Sequence, residues 1–340
     1  MAELQEVASS VGLPEFAGKQ LADWLYVRRV SDFDAMTNIS LKGREALNAH
    51  YSVGRYSPVK EAVSADGTRK YLFEIQHSEG RPNSDSGRFV EAVYIPEDDR
   101  ATLCVSSQAG CKMGCKFCMT GTLGFHGNLS ATDILNQIFY FMSGSPKDGL
   151  TNIVFMGEGE PMDNIGNVLH ALEILQADYG CAWSPKRITV STVGIPAMKR
   201  FLDESACHVA VSLHNPFPAE RAQIMPAEKL FSVTDIVAIL KQYDWSHQRR
   251  VSFEYICWPG QNDTIRHAKE LLRLLKGLNC RINLIRFHEG VDKQFPASDE
   301  KQMEFFRDYL SDHGLTTTIR RSRGEDILAA CGMLVNALQK

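Results

Sequence analysis

TLCVSSQAGCKMGCKFCMTG, residues 102–121, decides how the rest of the chain is read. Its first six residues are a short apolar and β-branched run, which predicts a buried strand. The run passes directly into a glycine-containing loop that carries Cys111, Cys115 and Cys118 in C-x3-C-x2-C spacing. Comparable runs recur downstream at TNIVFMG (151–157), RITVSTVG (187–194), HVAVSLH (208–214), RVSFEYI (250–256) and RINLIRF (281–287), with helical stretches between them. Strands alternating with helices mark parallel β/α units, and six of them predict an α/β fold built on a barrel or partial barrel. Such barrels gather their chemistry at the C-terminal ends of the strands. Polar residues follow that rule here. Gly157 to Glu160 come after the second strand, Ser191 ends the third, Ser212 and His214 end the fourth, and Asn283 lies in the sixth.

Upstream, FAGKQLADWLYVR places Phe16, Leu21, Trp24 and Leu25 at helical spacings, which predicts a small helical accessory domain over 1–55. KYLFEIQ (70–76) and FVEAVYIPE (89–97) read as strands separated by the polar loop SEGRPNSDSGR, so 56–100 is expected to be a β-rich extension with a flexible loop. The barrel domain then runs over 101–340, and its C-terminal segment carries Cys331. A chain of 340 residues exceeds one domain of about 100–200, in line with that division.

With 44% apolar and 23% charged residues and no apolar run of about 18, the chain is not expected to span a membrane. The N-terminus lacks a basic stretch followed by an apolar one, so a cytoplasmic location is expected. A net charge of −4 argues against coating nucleic acid by bulk electrostatics, but not against a local basic groove. Candidate patches are Lys112 with Lys116, Arg249 with Arg250, and the run Arg320, Arg321 and Arg323.

Nine cysteines, three of them within eight residues, suit reduced thiols and a metal site better than a disulfide framework. Three thiolates can hold three irons of a cubane cluster, leaving the fourth iron open to a non-cysteine ligand. Zinc usually takes four closed ligands, and no second C-x2-C pair exists in the chain. MGEGEP (156–161) is a glycine-rich turn where backbone can approach a ligand and a carboxylate can meet an ammonium group.

The cysteine spacing, with Phe117 before the last cysteine, resembles the radical S-adenosylmethionine (SAM) superfamily. Co-linear stretches narrow this to its RlmN/Cfr family of RNA methyltransferases: GKQLADWLY, DFDAMTNIS, DGTRKYLFE, the cysteine loop, FMGEGEP, VSTVGI, VSLH, INLIRF and IRRSRGEDILAACG. The resemblance implies a partial (β/α)6 barrel with an N-terminal helical domain. It implies a 4Fe–4S cluster on Cys111, Cys115 and Cys118, whose open iron chelates SAM and yields a 5′-deoxyadenosyl radical. Gly159, Glu160, Ser191, Ser212, Leu213, His214 and Asn283 match the family's SAM-contacting positions. Where the family usually has MGMGEP, this chain has Glu158.

By the same resemblance, Cys331 takes a methyl group from a first SAM, and a second SAM supplies the radical, so that two are used per turnover. The resulting thiomethylene radical adds to an adenine carbon and tethers the RNA. Cys104 resolves the tether by forming a disulfide with Cys331, and Glu91 corresponds to the family's proton acceptor, a task Cys104 could also perform. The implied partners are 23S rRNA, tRNA and an electron donor such as flavodoxin, with the enzyme a monomer. Carbon 2 of adenosine is the expected position, on the Pro of GEP and the N-terminal motif, although LIRF is closer to the carbon-8 branch. A radical SAM enzyme with a non-RNA substrate, or a non-catalytic iron–sulfur protein, are the other readings of these residues.

Overall fold

Helices α1 (Ala2–Ser10), α2 (Ala17–Ala22) and α3 (Leu41–His50) open the chain, and α2 runs on as a single π-helical turn over Asp23–Val27. The computed structural model describes residues 1–76, 89–142, 149–245, 249–287, 295–330 and 332–334; the loop SEGRPNSDSGR and Cys331 lie outside the described residues. The first helices bury a cluster of their own, built on Ala8, Leu21, Trp24, Phe33, Met36 and Leu47. Trp24 is held by its indole N–H donating to Asn38 Oδ1, and Ser40 caps α3 by accepting from Gly43 N at 3.2 Å. Phe16, read as part of that apolar face, instead precedes α2 and is 64% exposed, because the face begins only once the helix does.

An antiparallel meander follows: β1 (Lys60–Val63), β2 (Arg69–Glu74) and β3 (Phe89–Pro96), with β3 antiparallel to β4 (Ala101–Cys104). After β4 the chain makes the small hairpin β5 (Gln108–Gly110) and β6 (Phe125–Asn128), which brackets the cysteine loop and the short α4 (Met119–Thr122). Then come α5 (Ala131–Met142), β7 (Asn152–Phe155), α6 (Ile165–Gln176), β8 (Ile188–Thr192), α7 (Met198–Glu204) and β9 (His208–Ser212). The last elements are α8 (Pro218–Ile224), α9 (Val233–Leu240), β10 (Val251–Cys257), α10 (Ile265–Leu274), β11 (Cys280–Arg286), α11 (Glu300–Asp312) and β12 (Thr317–Ile319).

All six expected strands pair in parallel, in the order β4-β7-β8-β9-β10-β11, and β12 adds a seventh beside β11. With the meander these strands make one ten-stranded sheet, separate from the two-stranded β5–β6 hairpin, and the β/α units form a partial barrel. Val190, Val209, Val211, Phe253 and Tyr255 are fully buried, as strands covered on both faces require. No helix among the described residues is long and apolar enough to cross a membrane.

Candidate active site

The first strand stops at Cys104 rather than running to residue 107, and this break lets the chain turn into the β5–β6 hairpin. Gly110 is required there. Its φ is +67°, and an added Cβ would lie 1.9 Å from Gly124 O. The hairpin presents Cys111, Cys115 and Cys118 to one end of a cavity, fixed by bonds from Cys111 N to Gly124 O and from Lys116 N to Ile224 O. Burial pushes the Cys111 thiol up to about 12, and it raises Cys115 and Cys118 as well. Thiols in such surroundings ionise only when a strongly positive centre binds them. Among the described residues, no three His, Cys, Asp or Glu side chains converge on a single ion, whereas a cubane spreads its thiolates over separate irons.

The turn after β7 forms the next wall. Gly159 has φ +98°, and a Cβ there would fall 2.5 Å from Gln108 Cβ. The Glu160 carboxylate accepts from Val193 N at 2.8 Å and from Met162 N at 3.1 Å, and burial pushes it up to about 7. Glu158 points away from the cavity. It accepts from Glu91 N at 2.9 Å and Gly110 N at 3.3 Å, and burial pushes it up to about 8. This carboxylate ties the meander to the base of the cysteine loop.

Ser191 and Ser212 line the cavity, although Ser191 Oγ is already engaged, donating to Phe155 O at 2.7 Å. His214 also lines it, in left-handed backbone with φ +55°. Its Nδ1 accepts from Ile256 N at 3.0 Å, and burial, with Arg221 nearby, lowers the imidazole to about 3. His214 is therefore neutral, and its Nε2–H is left to act as a donor. Phe117 packs edge-on against it at 4.7 Å.

Two expected positions do not reach the cavity. Leu213 is fully buried in the core, and Asn283 is spent on Glu254 Oε1 at 2.8 Å and Thr318 Oγ1 at 2.9 Å. Glu254 itself lines the cavity, with Arg320 3.3 Å away. A carboxylate in the otherwise apolar VSFEYIC was the signal for it. Arg221, by contrast, gave none. Fully buried, it donates to Val193 O, Ser212 O and Leu213 O and pairs with Glu228, so it pins the ends of β8 and β9 that carry the site.

A second cavity adjoins the first across Met156, Ile285, Arg320 and Leu334. Cys104 lines it, packed against Val93, Ala329 and Leu334, and Arg100, Arg286, Arg321 and Arg323 surround it. Cys331 lies outside the described residues, but those on either side are placed. Ala330 lines the second cavity and Gly332 the first, while Met119 N donates to Gly332 O at 2.9 Å and Thr120 Oγ1 to Leu334 O at 3.1 Å. Glu91 lines neither cavity, and its carboxylate sits against Lys70. No disulfide joins any two described cysteines. Of the basic patches, the 320–323 run lines these two cavities, and the other two patches line neither. Arg249 is spent on the carbonyls of Leu202 and Cys207, and Lys112 on Asp163.

Comparison with known proteins gives the same placement. Residues 105–275 match the Radical SAM superfamily, and residues 1–53 match the Ribosomal RNA large subunit methyltransferase N-terminal domain. A Bacteroides fragilis protein named "Probable dual-specificity RNA methyltransferase RlmN" is 55% identical over 343 residues, covering 100% of this chain and 96% of its own. The Dual-specificity RNA methyltransferase RlmN of Chelativorans sp. is 40% identical, over 99% of this chain and 87% of its own. The crystal structure of a radical SAM methyltransferase from Sphaerobacter thermophilus superposes with a TM-score of 0.89 at 36% identity, covering 98% of this chain and 96% of that one.

Proposed function

The chain belongs to the RlmN family of radical SAM RNA methyltransferases, and from that footing we propose that it methylates carbon 2 of an adenosine in 23S rRNA and in tRNA, with Cys331 as the methyl carrier. The description of the matched N-terminal domain supports a large-subunit ribosomal RNA target, and the relatives' name "dual-specificity" supports a second target, which we take to be tRNA. One observation carries the reading: the residues flanking Cys331 line the two adjoining cavities, one holding the cysteine loop and the other Cys104.

Cys111, Cys115 and Cys118 would hold the 4Fe–4S cluster, whose donor set and buried thiols fit it. When bound, the cluster supplies the electron that cleaves SAM reductively. The chain's own part is to position and exclude. Gly159 lets the backbone close on the ligand, Glu160 and neutral His214 present an acceptor and a donor, Ser191 and Ser212 line the wall, and Phe117 with Trp258 keeps water out. Asn283 acts through Glu254, and Leu213 through Arg221, which its carbonyl holds. Cys104 would break the tether to RNA by pairing with Cys331. Glu91 would take the adenine proton.

Anaerobic turnover with methyl-deuterated SAM and 23S rRNA, followed by nucleoside mass spectrometry, tests this. Label in 2-methyladenosine supports it; label in 8-methyladenosine moves the chain to the carbon-8 branch.

A further inference from the structure

A groove that shares no lining residue with either cavity runs between the N-terminal helices, the meander and α5, and nothing in the proposed chemistry uses it. Three arginines and a set of stacked rings line it: Arg29, Arg55, Arg69, Tyr71, Tyr140 and Phe141. Arg55 forms its floor. Its Nη2 donates to Leu25 O at 2.7 Å and its Cζ lies 3.6 Å over the Phe139 ring, but Nε and Nη1 are buried without a hydrogen-bond partner. Burial, with Arg29 adding repulsion, lowers its guanidinium to about 10. No carboxylate pairs with Arg29 or Arg55 among the described residues. Arg69, at the groove's edge, lies 3.8 Å from Glu61. Arg29 is held in left-handed backbone with φ +57°, a conformation that costs a non-glycine residue about 1 kcal/mol or more.

A desolvated cation without a counter-charge is expensive, and the partner that Arg55 lacks is an anion. The aromatic wall narrows its chemistry. Phe141 stacks on Tyr94 at 5.4 Å and meets Tyr71 edge-on at 4.9 Å, so the wall is rigid, and Tyr140, 39% exposed, leaves ring surface open. A free phosphate or a lipid headgroup has no use for a ring platform. Phosphodiesters with bases between them use both features.

We infer that this groove holds a single-stranded stretch of the RNA substrate away from the methylated base, with phosphates at Arg29 and Arg69 over the charge of Arg55 and a base stacked on Tyr140. The inference rests on the RNA-methyltransferase reading and adds a second contact point to it. Such a contact supplies affinity and register but no sequence reading.

The test is fluorescence anisotropy of a labelled single-stranded RNA of about 12 nucleotides, titrated with salt against the cluster-loaded full chain. Arg29→Ala and Arg69→Ala are each expected to weaken binding several-fold and to lower the slope of log K against log salt by about 0.7. Tyr140→Ala is expected to weaken it about tenfold. Arg29→Lys should restore most of the slope. SAM cleavage without RNA and the melting temperature should stay at wild-type values in all four. Wild-type affinity and slope in the alanine variants would overturn the inference, as would full competition by millimolar inorganic phosphate. If the wild type methylates RNA while the variants bind normally, only the groove falls; if the wild type methylates no RNA, the parent reading falls and takes the groove with it.

Discussion

Lys70 Nζ lies 3.0 Å from Glu91 Oε1, with both side chains at most 1% exposed. The pair sits between neighbouring strands of the meander, where Lys70 opposes Val93 and Leu72 opposes Glu91. Lys70 also donates to Leu328 O at 3.3 Å, just before the segment that carries Cys331.

Removing one member of a buried pair strands the other charge, so Lys70→Met should cost about 3–5 kcal/mol in urea unfolding. Glu91→Gln separates structure from chemistry. If Glu91 takes the adenine proton, turnover falls about a hundredfold or more in protein that is still folded, whereas a purely structural Glu91 would lower stability and leave kcat of the folded fraction unchanged.

Glu158 gives the stability a pH dependence of defined sign. Its folded value is about 8 against an ordinary 4.5, so between these the native chain keeps a proton that the unfolded chain has lost. Its contribution is whole below about pH 4.5 and is lost as pH rises through 8. Glu158→Gln turns an amide nitrogen toward a backbone N–H and should cost about 1–3 kcal/mol at acid pH while flattening that decline. Unfolding free energies of mutant and wild type that stay parallel from about pH 5 to 8 would show that Glu158 is not the titrating group.

Cys104→Ala protein should accumulate RNA bound covalently through Cys331, visible as a shifted band on a denaturing gel, while Cys331→Ala forms none. Free RNA from both variants after turnover would count against the carrier mechanism.

Arg221→Met leaves the Glu228 carboxylate buried without its cation and three carbonyls without their donor, so a loss of about 3–5 kcal/mol is expected. The double variant Arg221→Met, Glu228→Met should recover part of the stability but not SAM affinity, because the ends of β8 and β9 remain unpinned. Full recovery of both would confine the pair to folding.

The six parallel strands were legible because buried strands read as dense apolar runs, and the cysteine loop because its spacing is rare. The short elements were not. β1 is mostly exposed, β12 is three residues of TTI, and the β5–β6 hairpin is rich in glycine, so none carries a periodic signal. Arg221 and Glu228 look in sequence like ordinary helix-surface charges; only the tertiary fold shows them buried together. Asn283 was placed on the correct strand and pairs in register with Glu254 on the neighbouring one, but its amide is spent on that carboxylate, and it is Glu254 that lines the cavity.

The bonds that seat the C-terminal segment join residues distant in sequence: Asp326 accepts from Ser64 Oγ and Ala65 N, Asp66 accepts from Gly324 N, and Arg323 donates to Pro96 O. Contacts that close loops of this length form late in folding. The meander must therefore be in place before the segment leading to Cys331 can dock. In the native protein, hydrogen exchange at residues 324–330 should be faster than in the barrel strands, so this stretch can undock from the meander while the barrel stays intact.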